Sequence, residues 1–160
     1  MKLAFWPRLW PRLGLAVLLA VTAGQAAALS CRKPDARASY ARAAAAEESY
    51  IVVHGVFSFD ARHLPADGQA RPPKPIAAQF AGKLLTRNGF TNPISVPVTL
   101  DVTCAGPWCG MITPQVQQLA FVERRADGYH LAVGPCPSTV FGNPDRATLH
   151  QMVACLKGGC

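Results

Sequence analysis

The chain is poor in acids, with 9 Asp and Glu against 16 Lys and Arg, and it lacks the short signatures of the commoner chemistries. There is no G-x-S-x-G elbow to present a serine nucleophile and no H-E-x-x-H helix to hold zinc beside a general base. No two cysteines are separated by two residues. That removes paired zinc-ligand units, and it removes the thiol-exchange motif whose low-pKa sulfur sits at a helix start. His54, His63, His130 and His150 are isolated from one another, so no metal site and no cofactor is expected. Asp60, Asp67, Asp101 and Asp127 fall in turns or on a wet strand face, and no spacing pairs two carboxylates for general acid and base work. Nor does any apolar run reach the roughly 20 residues of a spanning helix.

What is present points first to export. Lys2, Arg8 and Arg12 precede an apolar run from Leu13 to Ala23 and the small residues Ala26-Ala27-Ala28, the order of a secretion signal. The predicted signal is residues 1–28, with the domain at 29–160. A cut after Ser30 also fits and would leave Cys31 at the amino terminus. Lipidation of Cys31 is a third alternative, with Ala28-Leu29-Ser30 a poor lipobox. Without the signal there is no membrane span.

Removing the signal takes away three of the basic residues and none of the acidic ones, lowering the net charge from +7 to +4. Arg32, Lys33, Arg37, Arg124 and Arg125 are dispersed in ones and twos. A nucleic-acid surface needs a dense stripe with interleaved aromatics, so nucleic acid is not the expected partner. A protein partner is.

Six cysteines, Cys31, Cys104, Cys109, Cys136, Cys155 and Cys160, follow the signal. An even number in an exported chain reads as a disulfide set, formed in a secreted or periplasmic setting. The expected pairs are Cys31 with Cys136, Cys104 with Cys109 and Cys155 with Cys160. The last two close small local loops, and the first ties the start of the domain to its body.

Alanine-rich Asp35 to Ser49 predicts a helix. Tyr50 to Phe59 predicts a strand, with Gly55 marking a bulge or bend. A Pro-rich excursion follows over residues 60–75. Further strands are predicted at Ile76 to Leu85 and Val96 to Thr103, with turns at Asn88-Gly89 and Asn92-Pro93. Gln118 to Arg124 and Tyr129 to Val133 flank the Asp127-Gly128 hairpin turn. A closing helix starts at Asn143-Pro144-Asp145 and spaces Leu149, Val153 and Leu156 on one face. Helix, strands, then helix excludes the alternation of a parallel α/β fold. The fold class is mainly β, a five-stranded OB-like Greek-key barrel with an N-terminal and a C-terminal helix.

Five further features support this: Cys31 at the mature start, the helix-to-strand passage Ser39 to Phe59, Cys109-Gly110 before the fourth strand, Cys136 closing the fifth, and a last helix ending near Gly159-Cys160. Together they resemble the netrin-like domain, the OB-type barrel of tissue inhibitors of metalloproteinases. The resemblance implies a binding module without catalysis of its own. It also implies a rival bridge from Cys31 to Cys109. In place of the inhibitors' Cys-x-Cys start, Cys31-Arg32-Lys33-Pro34 has no second cysteine, so the fold carries over further than the inhibition.

Cys104-Ala105-Gly106-Pro107-Trp108-Cys109-Gly110 supplies the expected contact site. In such a barrel Cys31 to Pro34 falls near this loop, making Cys31, Pro107 and Trp108 the partner-contact candidates. The alternative is that Trp108 folds back over the barrel end. Two other functions stay open, thiol-disulfide exchange at Cys104 and Cys109 and a lipid-anchored envelope component.

Overall fold

A computed structural model describes residues 30–66 and 74–160. The predicted signal, residues 1–28, and the middle of the Pro-rich excursion, residues 67–73, lie outside the described part.

Helix α1 (Ala36–Ala45) starts where Asp35 accepts hydrogen bonds from the Arg37 and Ala38 amides. Its packed face is read at helical spacing, with Ala36 and Ser39 buried and Tyr40 and Ala43 beside them. Strand β1 (Ser49–Ser58) follows, then a 3₁₀ turn (Ala61–His63). Next come β2 (Ile76–Thr86), β3 (Gly89–Val102), the two-residue strands β4 (Cys104–Ala105) and β5 (Trp108–Cys109), β6 (Gln118–Arg125), β7 (Gly128–Val133) and β8 (Val140–Gly142). Helix α2 (Arg146–Leu156) closes the chain, its first turn capped by Asp145 at 2.7 Å from the Thr148 amide.

The fold is mainly β. Six strands run in the order β1-β2-β3-β7-β6-β8, and β1 pairs with β6 as well as with β2. All these pairings are antiparallel except β3 with β7, which is parallel from Val98–Tyr129 to Val102–Val133. Strand β1 keeps continuous register with both neighbours, Val53 facing Leu84 on one side and Ala120 on the other.

Alternation along these strands fills two layers. On the inner side Val53, Phe57, Phe80, Leu100, Val122 and Leu131 form the main core. Phe57 and Phe80 face each other across β1 and β2 with ring centroids 4.8 Å apart. On the outer side Val52, Leu119 and Phe121 are covered by both helices through Ala36, Met152 and Cys155.

Three expectations are corrected. Gly55 makes no bulge. It faces Gly82 in register, and a Cβ at Gly55 would lie 2.3 Å from the Ala81 carbonyl and 2.5 Å from the Gly82 Cα; the glycine pair lets two backbones approach beside the Phe80 ring. The irregularity lies instead between Leu84 and Leu85. Asn92-Pro93 is no turn, because β3 runs through it. Thr103 donates its amide to Val133, so the odd-numbered amides of β3 point toward β7, and Pro93 and Pro97 occupy that side before β7 pairing begins at Val98. There a missing N–H costs no ladder bond. In α2 burial centres on Met152 and Cys155, with Leu149, Val153 and Leu156 at its flanks. Strand β8 and the β4–β5 hairpin were not anticipated.

Candidate interaction surface

Three bridges join Cys31 to Cys136, Cys104 to Cys109 and Cys155 to Cys160. Cys31 is therefore bonded to Cys136 and not to Cys109. The C-terminal bridge is held against α1, where the Arg37 guanidinium donates to the Cys160 carbonyl at 2.6 Å. Three disulfides fit an oxidising compartment. No helix among the described residues is long and apolar enough to cross a membrane.

The CAGPWCG segment is a miniature hairpin. Cys104 opposes Cys109, and Ala105 opposes Trp108 across Gly106-Pro107. Its base is seated firmly on the sheet. The Gly110 amide donates to the Thr103 carbonyl at 2.8 Å, Thr103 donates in turn to Val133 at 3.0 Å, and a Cβ at Gly110 would lie 1.9 Å from the Val133 carbonyl oxygen. Only glycine fits so close to the end of β7.

Alternation then divides the segment. Cys109 and Ile112 are buried, while Trp108 is 47% and Met111 66% exposed. These two are the exposed large hydrophobics among the described residues. About half of Trp108 faces solvent, with Pro107 exposed beside it. Met111 and Pro34 line one groove of about 450 Å³ with Val140 and Phe141. The segment that begins at Cys31 is thereby brought alongside the chain just after the hairpin. Gln118 also lines this groove; its Nε2 donates to the Thr113 carbonyl at 2.6 Å, and its buried Oε1 has no partner.

The carboxylates are less dispersed than their spacing implied. Asp101 Oδ2 lies 3.0 Å from His130 Nδ1 and 3.1 Å from Arg125 Nη1. Asp127 Oδ1 is 3.3 Å from His130 Nε2. Glu123 and Arg125 form a two-pronged pair at 2.7 and 2.8 Å, which holds the Glu123 carboxyl below the usual carboxylate range. Arg125 Nη1 is also 3.0 Å from His130 Nδ1. β3, β6 and β7 thus gather a charge network that sequence separation concealed. Among the described residues no group of three or more His, Cys, Asp and Glu side chains could hold a metal ion.

The sequence singled out Trp108 and Pro107 but passed over Met111. It sits between Gly110 and Ile112 with no local cue that one neighbour turns inward and the other outward. Comparison with known proteins finds no matching family model, no matching curated protein and no matching solved structure.

Proposed function

We propose that this chain is an exported, non-catalytic binding module that engages a protein partner through the Trp108 hairpin. The observation that carries the reading is a large aromatic held outward on a hairpin closed by its own disulfide and seated on β7. Rigid aromatic anchors dominate interface energetics because they bury much area at little entropic cost. Met111 and Pro34 extend the apolar contact beside it.

The proposed scaffold is an OB-type five-stranded barrel of netrin-like character. It is supported by the strand circuit, in which β1 pairs with β2 and β6 while β3 runs parallel to β7, and by the main core that these strands enclose. Thiol exchange at the same loop is the second reading, favoured by the placement of a disulfide on an exposed hairpin. Against it, neither sulfur stands at a helix start that would stabilise a thiolate.

The test has two parts. Intact mass of the exported protein gives the cleavage point, any lipid and the number of free thiols; removal of the signal, no lipid and no free thiol are expected. Affinity capture from the exported fraction with wild type and Trp108→Ala then checks the surface. A specific protein retained by the wild type and lost from the variant supports the proposal. Equal retention by both overturns the hairpin assignment, and selective reduction of Cys104–Cys109 by a mild dithiol establishes exchange chemistry instead.

A further inference from the structure

A second surface lies away from the hairpin, near the Gly89–Phe90 end of β3, where α2 crosses the outer face of β1 and β2. A groove of about 530 Å³ opens there, within the range of small-molecule sites. Its floor is apolar, formed by half-buried Phe90 and Val153. Around that floor stand Lys83, His54, His150 and Gln117, and no acidic residue lines it. Lys83 and His54 are cross-strand partners on the outer face. None of the four side chains makes a hydrogen bond or an ion pair among the described residues. Six of the described acids are engaged elsewhere: Asp35 and Asp145 cap helices, Asp60 holds Arg62, and Asp101, Glu123 and Asp127 hold Arg125 and His130.

We infer that this groove binds a small amphipathic anion, its acidic head between Lys83 and the two histidines and its apolar tail on Phe90 and Val153. A cation alone on a wet surface attracts anions weakly. Here Lys83 stands beside His54 on the neighbouring strand, and His150 and Gln117 line the same groove as the apolar floor, so head and tail are recognised together. The groove lies between α2 and the β2–β3 hairpin, and its volume suits a single small molecule.

Protonation links to the same site. His54 is held below the ordinary histidine range by burial and then by the Lys83 charge. The titratable groups facing it are Lys83 from β2 and His150 from α2, while β3 and β6 present Phe90 and Leu119. An anion in the groove favours protonated His54, so binding strengthens as pH falls.

Decane-1-sulfonate is the probe, because its charge is constant across the range in which histidine titrates. Titration into the intact disulfide-bonded protein, followed by amide chemical shifts, is expected to give saturable changes at Gly82, Lys83 and Leu149. Decan-1-ol should bind at least about tenfold more weakly, a difference near 1.4 kcal/mol. Lys83→Gln should weaken the sulfonate several-fold, and Val153→Phe should block it by filling the floor. Affinity should rise as pH falls toward and below the ordinary histidine value of about 6.5, because His54 in the free protein takes up its proton only below that value. Equal binding of alcohol and sulfonate, shifts confined to the Trp108 hairpin, no saturation by about 5 mM, or retention only on anionic phospholipid vesicles would each overturn the inference. The hairpin reading does not depend on any of these outcomes.

Discussion

Gly110 and Trp108 are two residues apart and show opposite sensitivities. A Cβ at Gly110 would collide with the Val133 carbonyl, so Gly110→Ala must displace the end of β7 or the base of the hairpin. Thermal or denaturant unfolding should show a loss of about 1 to 3 kcal/mol, the range of overpacked sites. Trp108 is 47% exposed, and Trp108→Ala should leave stability within about 0.5 kcal/mol of wild type. A large stability loss in that variant would mean that the indole is a structural lid. His54 gives a third expectation at this scale. Its folded pKa lies below the unfolded one, because burial and Lys83 oppose its charge. The unfolded chain therefore binds the proton first, and stability falls as pH drops below the ordinary value of about 6.5 until the folded group titrates. His54→Gln should flatten that part of the stability profile.

Each helix owes its start to one aspartate. Asp35 accepts from two amides of the first turn of α1, and Asp35→Ala should cost about 1 kcal/mol. Asp145 plays the same part for α2, and hydrogen bonds from the Thr148 side chain and backbone hold its carboxyl below the usual range. A carboxylate depressed on folding contributes stability above its unfolded pKa and loses it as pH falls through the folded one. Acid below about pH 4 should therefore loosen α2. Asp145→Asn keeps a capping oxygen and should remove that acid sensitivity, whereas Asp145→Ala should lower Tm at neutral pH; helical circular dichroism against pH distinguishes them. Among the strands, β3 shows how an element absorbs prolines. Pro93 and Pro97 sit on the side that has no neighbour until Val98, so a 14-residue strand runs through two residues that would break an inner one.

For the molecule as a whole, the bridges differ in what they constrain. Cys31–Cys136 closes a separation of 105 residues, while Cys104–Cys109 and Cys155–Cys160 each close only 5. Loop-closure entropy assigns about 4.7 kcal/mol to the long bridge and about 2 kcal/mol to each short one. Paired Cys→Ser variants should lower Tm in that order, most for Cys31 and Cys136. Proteolysis without reduction should yield a peptide joining residue 31 to residue 136; one joining 31 to 109 would contradict the structure. The long bridge also fixes the segment before α1, which places Pro34 in one groove with Met111 beside the proposed contact surface.

Much of the element plan could be read within short windows of sequence. Alanine density and Asp35 marked α1, the β-branched and aromatic run Tyr50 to Phe59 marked β1, Asp127-Gly128 marked the β6–β7 hairpin, and Asp145 marked the start of α2. These depend on local propensity, capping and turn chemistry, which a few neighbouring residues decide. The return of β1 to β6, the parallel match of β3 with β7, the gathering of Asp101 and Asp127 around His130, and the convergence of His54, Lys83 and His150 on one groove came only with tertiary structure. Each joins residues that are far apart in the chain or brought together by packing, and nothing in a local pattern specifies which distant partner a strand edge or a charge will meet. The exposure of Trp108 belongs with them: the loop and its two cysteines were legible, but the hairpin and the face of it that meets solvent came with the seating of Gly110 on β7.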